Sequence, residues 1–225
     1  MKEKFNVRIL AEIAIFAALG FALDALQGGY SRGMFPSGGS IGIAMLPVFI
    51  IGYRRGIVAS LLCGLVLSLI QMLTGVYVVN TSTNPNEFLR AVGPFIQVML
   101  DYILGYTLVG VSGAFSKMYQ EGKDSKTKIL SVVLGVLVGG LLKYSSHVIA
   151  GGLFYLNGGA QFWGIEDSSW LFSFMYNGAY CIPNTILSLV LMVIIAKYYP
   201  QILNPRLENE VNSEEIVESD GADNE

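Results

Sequence analysis

The stretch "ILSVVLGVLVGGLLKYSSHVIAGGLFY", residues 129–155, decides the fold class of this chain. It is an apolar run interrupted by Lys143 and by His147, the only histidine in the sequence. An apolar run of about 20 residues is long enough to cross the hydrocarbon core of a bilayer as an α-helix. The stretch therefore predicts a membrane-spanning helix that carries a charged and a titratable side chain at membrane depth.

The composition of the whole chain also points to a membrane protein. Hydrophobic residues make up 53% of the 225 residues and charged residues only 14%, whereas about 25% of the residues are charged in a typical soluble domain. Eight of the seventeen acidic residues lie after Leu207. We therefore predict two parts, a membrane domain of residues 1–200 and an acidic, disordered cytoplasmic tail of residues 201–225.

The basic residues and cysteines argue against nucleic-acid binding and metal chemistry. The basic residues are scattered and lie mostly in short loops, so we expect no nucleic-acid partner. The two cysteines, Cys63 and Cys181, lie in apolar runs without metal-ligand neighbours. We expect buried free thiols, no metal site and no cofactor.

Apolar runs separated by loop residues predict six membrane-spanning helices, and hence an all-α integral membrane protein. The predicted ranges are Val7–Leu26, Ser40–Tyr53, Gly56–Leu73, Ala91–Phe115, Ile129–Tyr155 and Trp170–Tyr198. The second helix is short and contains Pro47.

The distribution of positive charge predicts the orientation of the six-helix bundle. Lysine and arginine are enriched in the cytoplasmic loops of membrane proteins. With the N-terminus inside, only Arg32 and Arg90 fall outside, and eleven basic residues fall on the cytoplasmic side. These are Lys2, Lys4, Arg8, Arg54, Arg55, Lys117, Lys123, Lys126, Lys128, Lys197 and Arg206. We therefore predict a bundle with both termini in the cytoplasm.

Polar and aromatic residues converge at one level of three predicted helices, in the outer half of the membrane. Residues four positions apart share a face of a helix. The converging residues are Asp101 and Tyr102 of the fourth helix, Lys143, His147, Gly151 and Tyr155 of the fifth, and Asn177 of the sixth. Gly151 is expected to leave room opposite its neighbours on the fifth helix.

This convergence has a structural and a functional interpretation. A charge near the middle of a membrane costs about 2.5–3.5 kcal/mol on insertion scales. Asp101 and Lys143 are expected at similar depth, where they can offset each other as an ion pair that only joins the fourth and fifth helices. We favour a pocket open to the outside, because His147, Asn177 and several tyrosines are expected at the same level. Such a pocket suits a small, flat, polar or cationic ligand.

Five blocks of sequence, in this order and spacing, carry a resemblance to a known family. They are "NVRILAEIAIFAALGF" (6–21), "GGSIGIAMLPVFIIGYRRG" (38–56), "MLDYILGY" (99–106), "LLKYSSHVIAGGLFY" (141–155) and "YNGAYCIP" (176–183). Together they resemble the thiamine-specific S components of energy-coupling factor (ECF) vitamin transporters. The blocks are spread over nearly the whole membrane part of the chain.

The resemblance implies a six-helix bundle in the bacterial cell membrane that binds thiamine on its outer side. It also implies a scaffold transmembrane subunit and two ATPase subunits as partners. The positions that match family binding residues are Asp101, Tyr102, Lys143, His147, Gly151, Tyr155 and Asn177. By this resemblance Tyr155 stacks on a ring of the ligand, His147 and Asn177 bond the aminopyrimidine, and Asp101 lies near its amine or the thiazolium charge. The first outer loop is expected to form a lid, with Tyr30, Met34 or Phe35 as the contacting residue.

The first helix carries a ridge of small residues. Ala14, Ala18 and Ala22 repeat at intervals of four and share one face. Small residues let two helices approach closely, either within one chain or between chains. The resemblance implies that Ala14 and Ala18 dock on the scaffold subunit.

Three alternatives remain open beside a thiamine-binding S component. The first is an S component for another vitamin or for a thiamine precursor. The second, a stand-alone carrier, differs in whether uptake survives removal of the ATPase subunits. The third, an intramembrane enzyme, is disfavoured because the sequence has one histidine and neither a GxSxG nor an HExxH motif. The sequence also lacks a Walker A motif, so ATP hydrolysis would have to come from other chains.

Overall fold

The computed structural model describes residues 7–35, 38–155 and 169–205. Within these ranges the chain forms helices and no β-strand, which confirms the all-α prediction. The α-helices are α1 (Val7–Ser31), α2 (Leu46–Arg55), α3 (Ile57–Leu73), α4 (Glu87–Val98), α5 (Leu104–Thr107), α6 (Ser116–Glu121), α7 (Ser125–Phe154), α8 (Ser169–Tyr198) and α9 (Pro200–Leu203).

Four helical stretches of the described chain are long and apolar enough to cross a membrane. They are Val7–Ser31, Glu87–Glu121, Ser125–Phe154 and Trp170–Tyr198. These correspond to the first, fourth, fifth and sixth predicted spans. The other two predicted spans are shorter in the structure, with ten residues in α2 and seventeen in α3.

The fourth predicted span is a composite helical rod of residues 87–121. After α4 it passes through a π-helical turn (Met99–Ile103), α5, a 3₁₀ segment (Leu108–Phe115) and α6. The rod begins before the predicted Ala91 because the Asn86 side chain caps it, accepting a hydrogen bond from the Leu89 N–H at 3.1 Å. In the 3₁₀ segment, a Cβ on Gly110 would lie 2.6 Å from the backbone nitrogen of Leu61. The rod therefore packs backbone to backbone against α3.

Among the described residues, the most extensive contact between two helices is that of α7 with α8. The start of α7 lies four residues before the predicted Ile129 because Asp124 caps the helix, accepting a hydrogen bond from the Thr127 N–H at 2.7 Å. The hydrogen bonds from Thr127 hold the pKa of the Asp124 carboxyl below its usual value. Both helices run the length of the bundle, so polar side chains on α7 can meet those on α8.

Residues 38–44, which we call the strap segment, contain the predicted start of the second helix at Ser40, and this predicted start is wrong. The strap segment is not helical, and α2 begins only at Leu46. Its N–H groups bond side chains of α1 and α8: Ile41 to Ser31 Oγ (3.1 Å), Gly42 to Asn184 Oδ1 (2.7 Å) and Ala44 to Gln27 Oε1 (3.1 Å). These hydrogen bonds replace those that a helix would make within its own backbone. Non-helical backbone is tolerated inside a membrane protein only where its polar groups are satisfied in this way.

The opposite end of the bundle holds a cluster that we call the arginine end. Glu12 of α1 accepts hydrogen bonds from Arg54 (3.1 Å) and Arg55 (2.7 Å) at the end of α2. Arg54 also donates to the backbone oxygen of Ile202 in α9 at 3.2 Å. Leu203 is fully buried, so α9, just beyond the predicted domain boundary at residue 200, packs on the bundle.

Candidate functional site

Asp101 is the centre of a hydrogen-bonded group formed by the rod and α7. Its Oδ2 accepts hydrogen bonds from Gln97 Nε2 at 2.9 Å and from the Tyr155 hydroxyl at 3.2 Å. Its Oδ1 lies 3.4 Å from Nδ1 of His147. The side chains of Asp101 and His147 are only 17% and 14% exposed. Three polar groups therefore converge on one largely buried carboxylate.

Two tyrosines extend this group toward the loop after α3. The backbone N–H of Tyr77 donates to the hydroxyl of Tyr102 at 2.8 Å. The Tyr77 ring stacks on Tyr155, with centroids 6.2 Å apart and planes 28° apart. The π-helical turn at 99–103 contains both Asp101 and Tyr102, and such turns are frequent at functional sites. The loop after α3 thus supplies an aromatic wall beside Asp101.

In the described residues Asp101 and Lys143 do not form the ion pair on which the structural interpretation rested. Lys143 lies one helical turn away from His147, and its Nζ sits over the ring of Tyr106, 3.8 Å from the centroid. The Tyr106 hydroxyl donates to Asp24 of α1 at 2.9 Å. Lys143 therefore packs on the ring of Tyr106, whose hydroxyl is hydrogen-bonded to a second carboxylate, Asp24. Among the described residues, Asp24 and Asp101 act on Lys143 only through longer-range electrostatics.

On α8, Asn177 joins the group from the other side. Its Nδ2 donates to the backbone oxygen of His147 at 3.3 Å, and its Oδ1 accepts a hydrogen bond from the Tyr180 hydroxyl. A Cβ on Gly151 would collide with the hydroxyl of Ser173. The room that Gly151 leaves is therefore occupied by α8, and the prediction of open space opposite it is wrong.

One polar atom of this group has no partner in the structure. Of the buried side-chain nitrogens and oxygens in the described residues, three lack a hydrogen bond, and His147 Nε2 is one of them. Burying a polar atom without a partner costs about 1–3 kcal/mol. This orphaned nitrogen lies on the side of the imidazole away from Asp101, next to Gly105 of the rod, and it is a candidate position for a hydrogen bond to a ligand.

Of the three lid candidates, only Phe35 reaches this region. It is 3% exposed and packs edge-on against Tyr176 and Tyr180, with centroids 5.8 and 5.5 Å away. The Tyr30 hydroxyl instead donates to the backbone oxygen of Ile41 at 2.7 Å. Met34 is 55% exposed. Which of them contacts a ligand stays a prediction.

Apart from Lys143, which lies over Tyr106, the predicted polar side chains are linked by the contacts described above. We call Asp101, Tyr102, Lys143, His147, Tyr155 and Asn177 the polar layer. The sequence analysis missed five participants, which are Asp24, Tyr77, Gln97, Tyr106 and Tyr180. Gln97 lies four residues before Asp101, so helical spacing could have identified it, and Asp24 is an isolated charge within the first apolar run.

The alanine ridge of α1 lies on the outside of the bundle. Ala14, Ala18 and Ala22 are exposed, whereas Ile13 and Ala17 on the opposite face are 4% and 0% exposed. The alternative that the ridge packs within this chain is therefore wrong for the described residues.

A model of the thiamine transporter protein family (Thia_YuaJ) matches residues 10–204 of the chain. The chain belongs to this family. The family is one of transporters, which fits a function other than catalysis. Together with the long apolar helices, membership identifies the chain as a multi-pass protein of the bacterial cell membrane.

Individual members agree with this assignment. The chain is 34% identical over 206 residues to thiamine transporter ThiT of Bacillus subtilis, covering 90% of this chain and 97% of that protein. It is 23% identical over 209 residues to ThiT of Lacticaseibacillus paracasei, covering 90% and 93% of the two chains. The structure of ThiT from Listeria monocytogenes superposes with a TM-score of 0.67 at 29% identity, covering 88% of this chain and 98% of that one.

Proposed function

We propose that this chain is the substrate-binding S component of an ECF-type transporter and that it captures thiamine on the outer side of the membrane. The observation that carries the proposal is the unpaired Nε2 of His147 within a largely buried polar layer. Membership of a thiamine transporter family supports thiamine as the ligand.

The chemistry of the polar layer suits the two rings of thiamine. An aminopyrimidine presents hydrogen-bond donors and acceptors, which His147 and Asn177 can complement. A thiazolium carries a positive charge, which favours a place near Asp101 and against a tyrosine face. The stacked pair of Tyr77 and Tyr155 offers such a face. In this proposal Tyr102, Lys143 and Gly151 shape the surrounding wall.

The orientation in this proposal is that of six spans with both termini in the cytoplasm. Asp24 and Glu12 are twelve positions apart on α1, a rise of about 18 Å. The polar layer and the arginine end therefore lie at different depths, and the positive-inside rule favours the arginine end as the cytoplasmic one. The polar layer then lies in the outer half of the membrane.

The proposal assigns energy coupling to partner chains. The exposed alanine ridge is available to a neighbouring helix, and alanines allow close approach. We place the scaffold transmembrane subunit there, with two ATPase subunits bound to it on the cytoplasmic side. A stand-alone carrier would instead keep transporting thiamine after the ATPase subunits are deleted.

The binding part of the proposal is tested by calorimetric titration of the purified chain with thiamine. One thiamine per chain at micromolar concentrations is the expected result, with weaker responses to riboflavin, biotin and pyridoxine. Trp170 packs against Gly152 of α7, next to the polar layer, so its fluorescence should change on binding. Trp163 lies outside the described residues. Tighter binding of another vitamin or of a thiamine precursor would identify that compound as the ligand, and no response to thiamine would refute the proposal.

The docking part is tested by placing a bulky residue on the alanine ridge. Ala14→Trp and Ala18→Trp should abolish co-purification with the scaffold subunit and ATP-driven uptake, because a tryptophan holds two helices apart. The thiamine affinity of the isolated chain should stay within a few-fold. Ala17→Trp is the matched control, because Ala17 is fully buried and its replacement should disturb the bundle itself. Complex formation that survives both ridge substitutions would refute docking at this ridge.

A further inference from the structure

Asp24 is a second carboxylate that reaches the polar layer from α1. Its Oδ1 accepts hydrogen bonds from the Tyr106 hydroxyl at 2.9 Å and from Gln27 Nε2 at 3.1 Å. The Tyr106 ring carries Lys143 on its face. Asp24 is therefore joined to Lys143 through one aromatic ring, although the two residues lie on different helices.

The charge count of this region is unbalanced. Asp24 and Asp101 are two carboxylates, and both act electrostatically on the single cation Lys143. With Asp24, Asp101 and Lys143 all charged and His147 neutral, these four groups together carry one excess negative charge. Uncompensated charge within a membrane is costly, and ionisable residues there mark functional sites. A ligand with a single positive charge would neutralise the region.

We propose that Asp24 is a specificity-determining residue, which makes the site selective for a ligand with one positive charge over a neutral ligand of the same shape. The inference rests on the proposed thiamine-binding function and deepens it. Asp24 acts through its charge on Lys143 and on the ligand, without needing to contact the ligand. In this arrangement the negative charge of Asp24 offsets the positive charge of Lys143. The negative charge of Asp101 is then offset by the positive charge of the ligand.

An alternative role for Asp24 is purely structural. Gln27, which it contacts, also donates to Ser40 Oγ at 2.8 Å and accepts from the Ala44 N–H. Asp24 therefore helps to hold the strap segment. An asparagine at position 24 has the same shape and keeps an acceptor oxygen for Tyr106, but it has no charge. Asp24→Asn thus separates the charge from the hydrogen bonds.

The experiment compares two ligands by calorimetry, thiamine and its neutral isostere in which a thiophene replaces the thiazolium. The unmodified chain should prefer thiamine. Asp24→Asn should weaken the binding of thiamine roughly ten- to thirtyfold and that of the neutral isostere by less than about threefold, because the charge at position 24 acts only on the charged ligand. Asp24→Glu keeps the charge and should keep the preference for thiamine, even if both affinities fall.

Asp124→Asn is the control for this experiment, because it makes the same chemical change at the exposed cap of α7. It should leave both affinities unchanged. Equal losses for both ligands in Asp24→Asn, or no loss for either, would overturn the role of the Asp24 charge. Failure of the unmodified chain to bind thiamine would instead refute the proposed function itself.

Discussion

Replacing Asp101 by asparagine tests whether the polar layer binds ligand. Gln97 Nε2 and the Tyr155 hydroxyl both donate to Oδ2 of Asp101, and His147 Nδ1 faces Oδ1. Asparagine keeps one acceptor oxygen and presents an NH₂ group at the other position. Whichever way the amide turns, at least one of these neighbours loses its acceptor.

The expected loss follows from these contacts. Leaving one buried polar group without its partner costs about 1–3 kcal/mol, which corresponds to a roughly ten- to hundredfold weaker thiamine affinity if the layer binds thiamine. Calorimetric titration of the purified variant measures it directly. If the asparagine NH₂ group takes the place of Oδ2, Asp101→Asn and Tyr155→Phe remove the same hydrogen bond, and a double-mutant cycle should then be non-additive by about 0.5–1.5 kcal/mol.

The control for this prediction is Tyr144→Phe. Tyr144 also lies on α7, but its hydroxyl donates to the backbone oxygen of Phe174 outside the polar layer, at 3.0 Å. Its loss should leave affinity unchanged. If Asp101→Asn folds, as judged by size-exclusion chromatography and thermal unfolding, and binds thiamine as tightly as the unmodified chain, the polar layer is structural and our reasoning is refuted.

Three further substitutions test other parts of the structure. His147→Ala removes the unpaired Nε2 and should weaken thiamine binding roughly ten- to hundredfold in the same titration, with folding retained. Asn184→Leu strands the Gly42 N–H and should lower the unfolding temperature by about 4–8 °C, whereas Thr185→Val, one residue on, should not. Gly110→Ala should destabilise the chain by about 1–3 kcal/mol in denaturant unfolding, whereas Gly29→Ala, with open space around it, should not; an equal effect of both would refute the close contact.

Sequence patterns predicted the long helices well because hydrophobicity and length decide them. The sixth predicted helix agrees with α8 to within one residue at its start and ends at the same Tyr198. The start of α7 was missed by four residues because the cap formed by Asp124 lies in a polar stretch, where hydrophobicity carries no signal. The prediction for the strap segment failed for a different reason, because side chains distant in sequence, such as Asn184, form hydrogen bonds with its backbone. No local pattern reports such a bond.

The members of the polar layer were predicted better than their pairing. Helical spacing and a shared depth brought His147 and Asp101 together correctly. Depth alone also suggested the ion pair with Lys143, but it does not give the direction of a side chain around its helix axis. Lys143 points to Tyr106 instead. Asp24 was missed because each acid in a long apolar run, here Glu12 and Asp24, lowers the mean hydropathy of the run only slightly.

The π-helical turn at 99–103 sets the rotation between two parts of the rod, one that carries the polar layer and one that packs against α3. Before and within this turn lie Gln97 and Asp101, and beyond it lies Gly110, which contacts α3. Removing one residue between them would rotate everything that follows by about 100°. The glycine would then face away from α3 whenever the carboxylate stayed in place. Substitutions can therefore change the side chains of this site during evolution, whereas an insertion or deletion between Gln97 and Gly110 would disrupt either the site or the contact with α3.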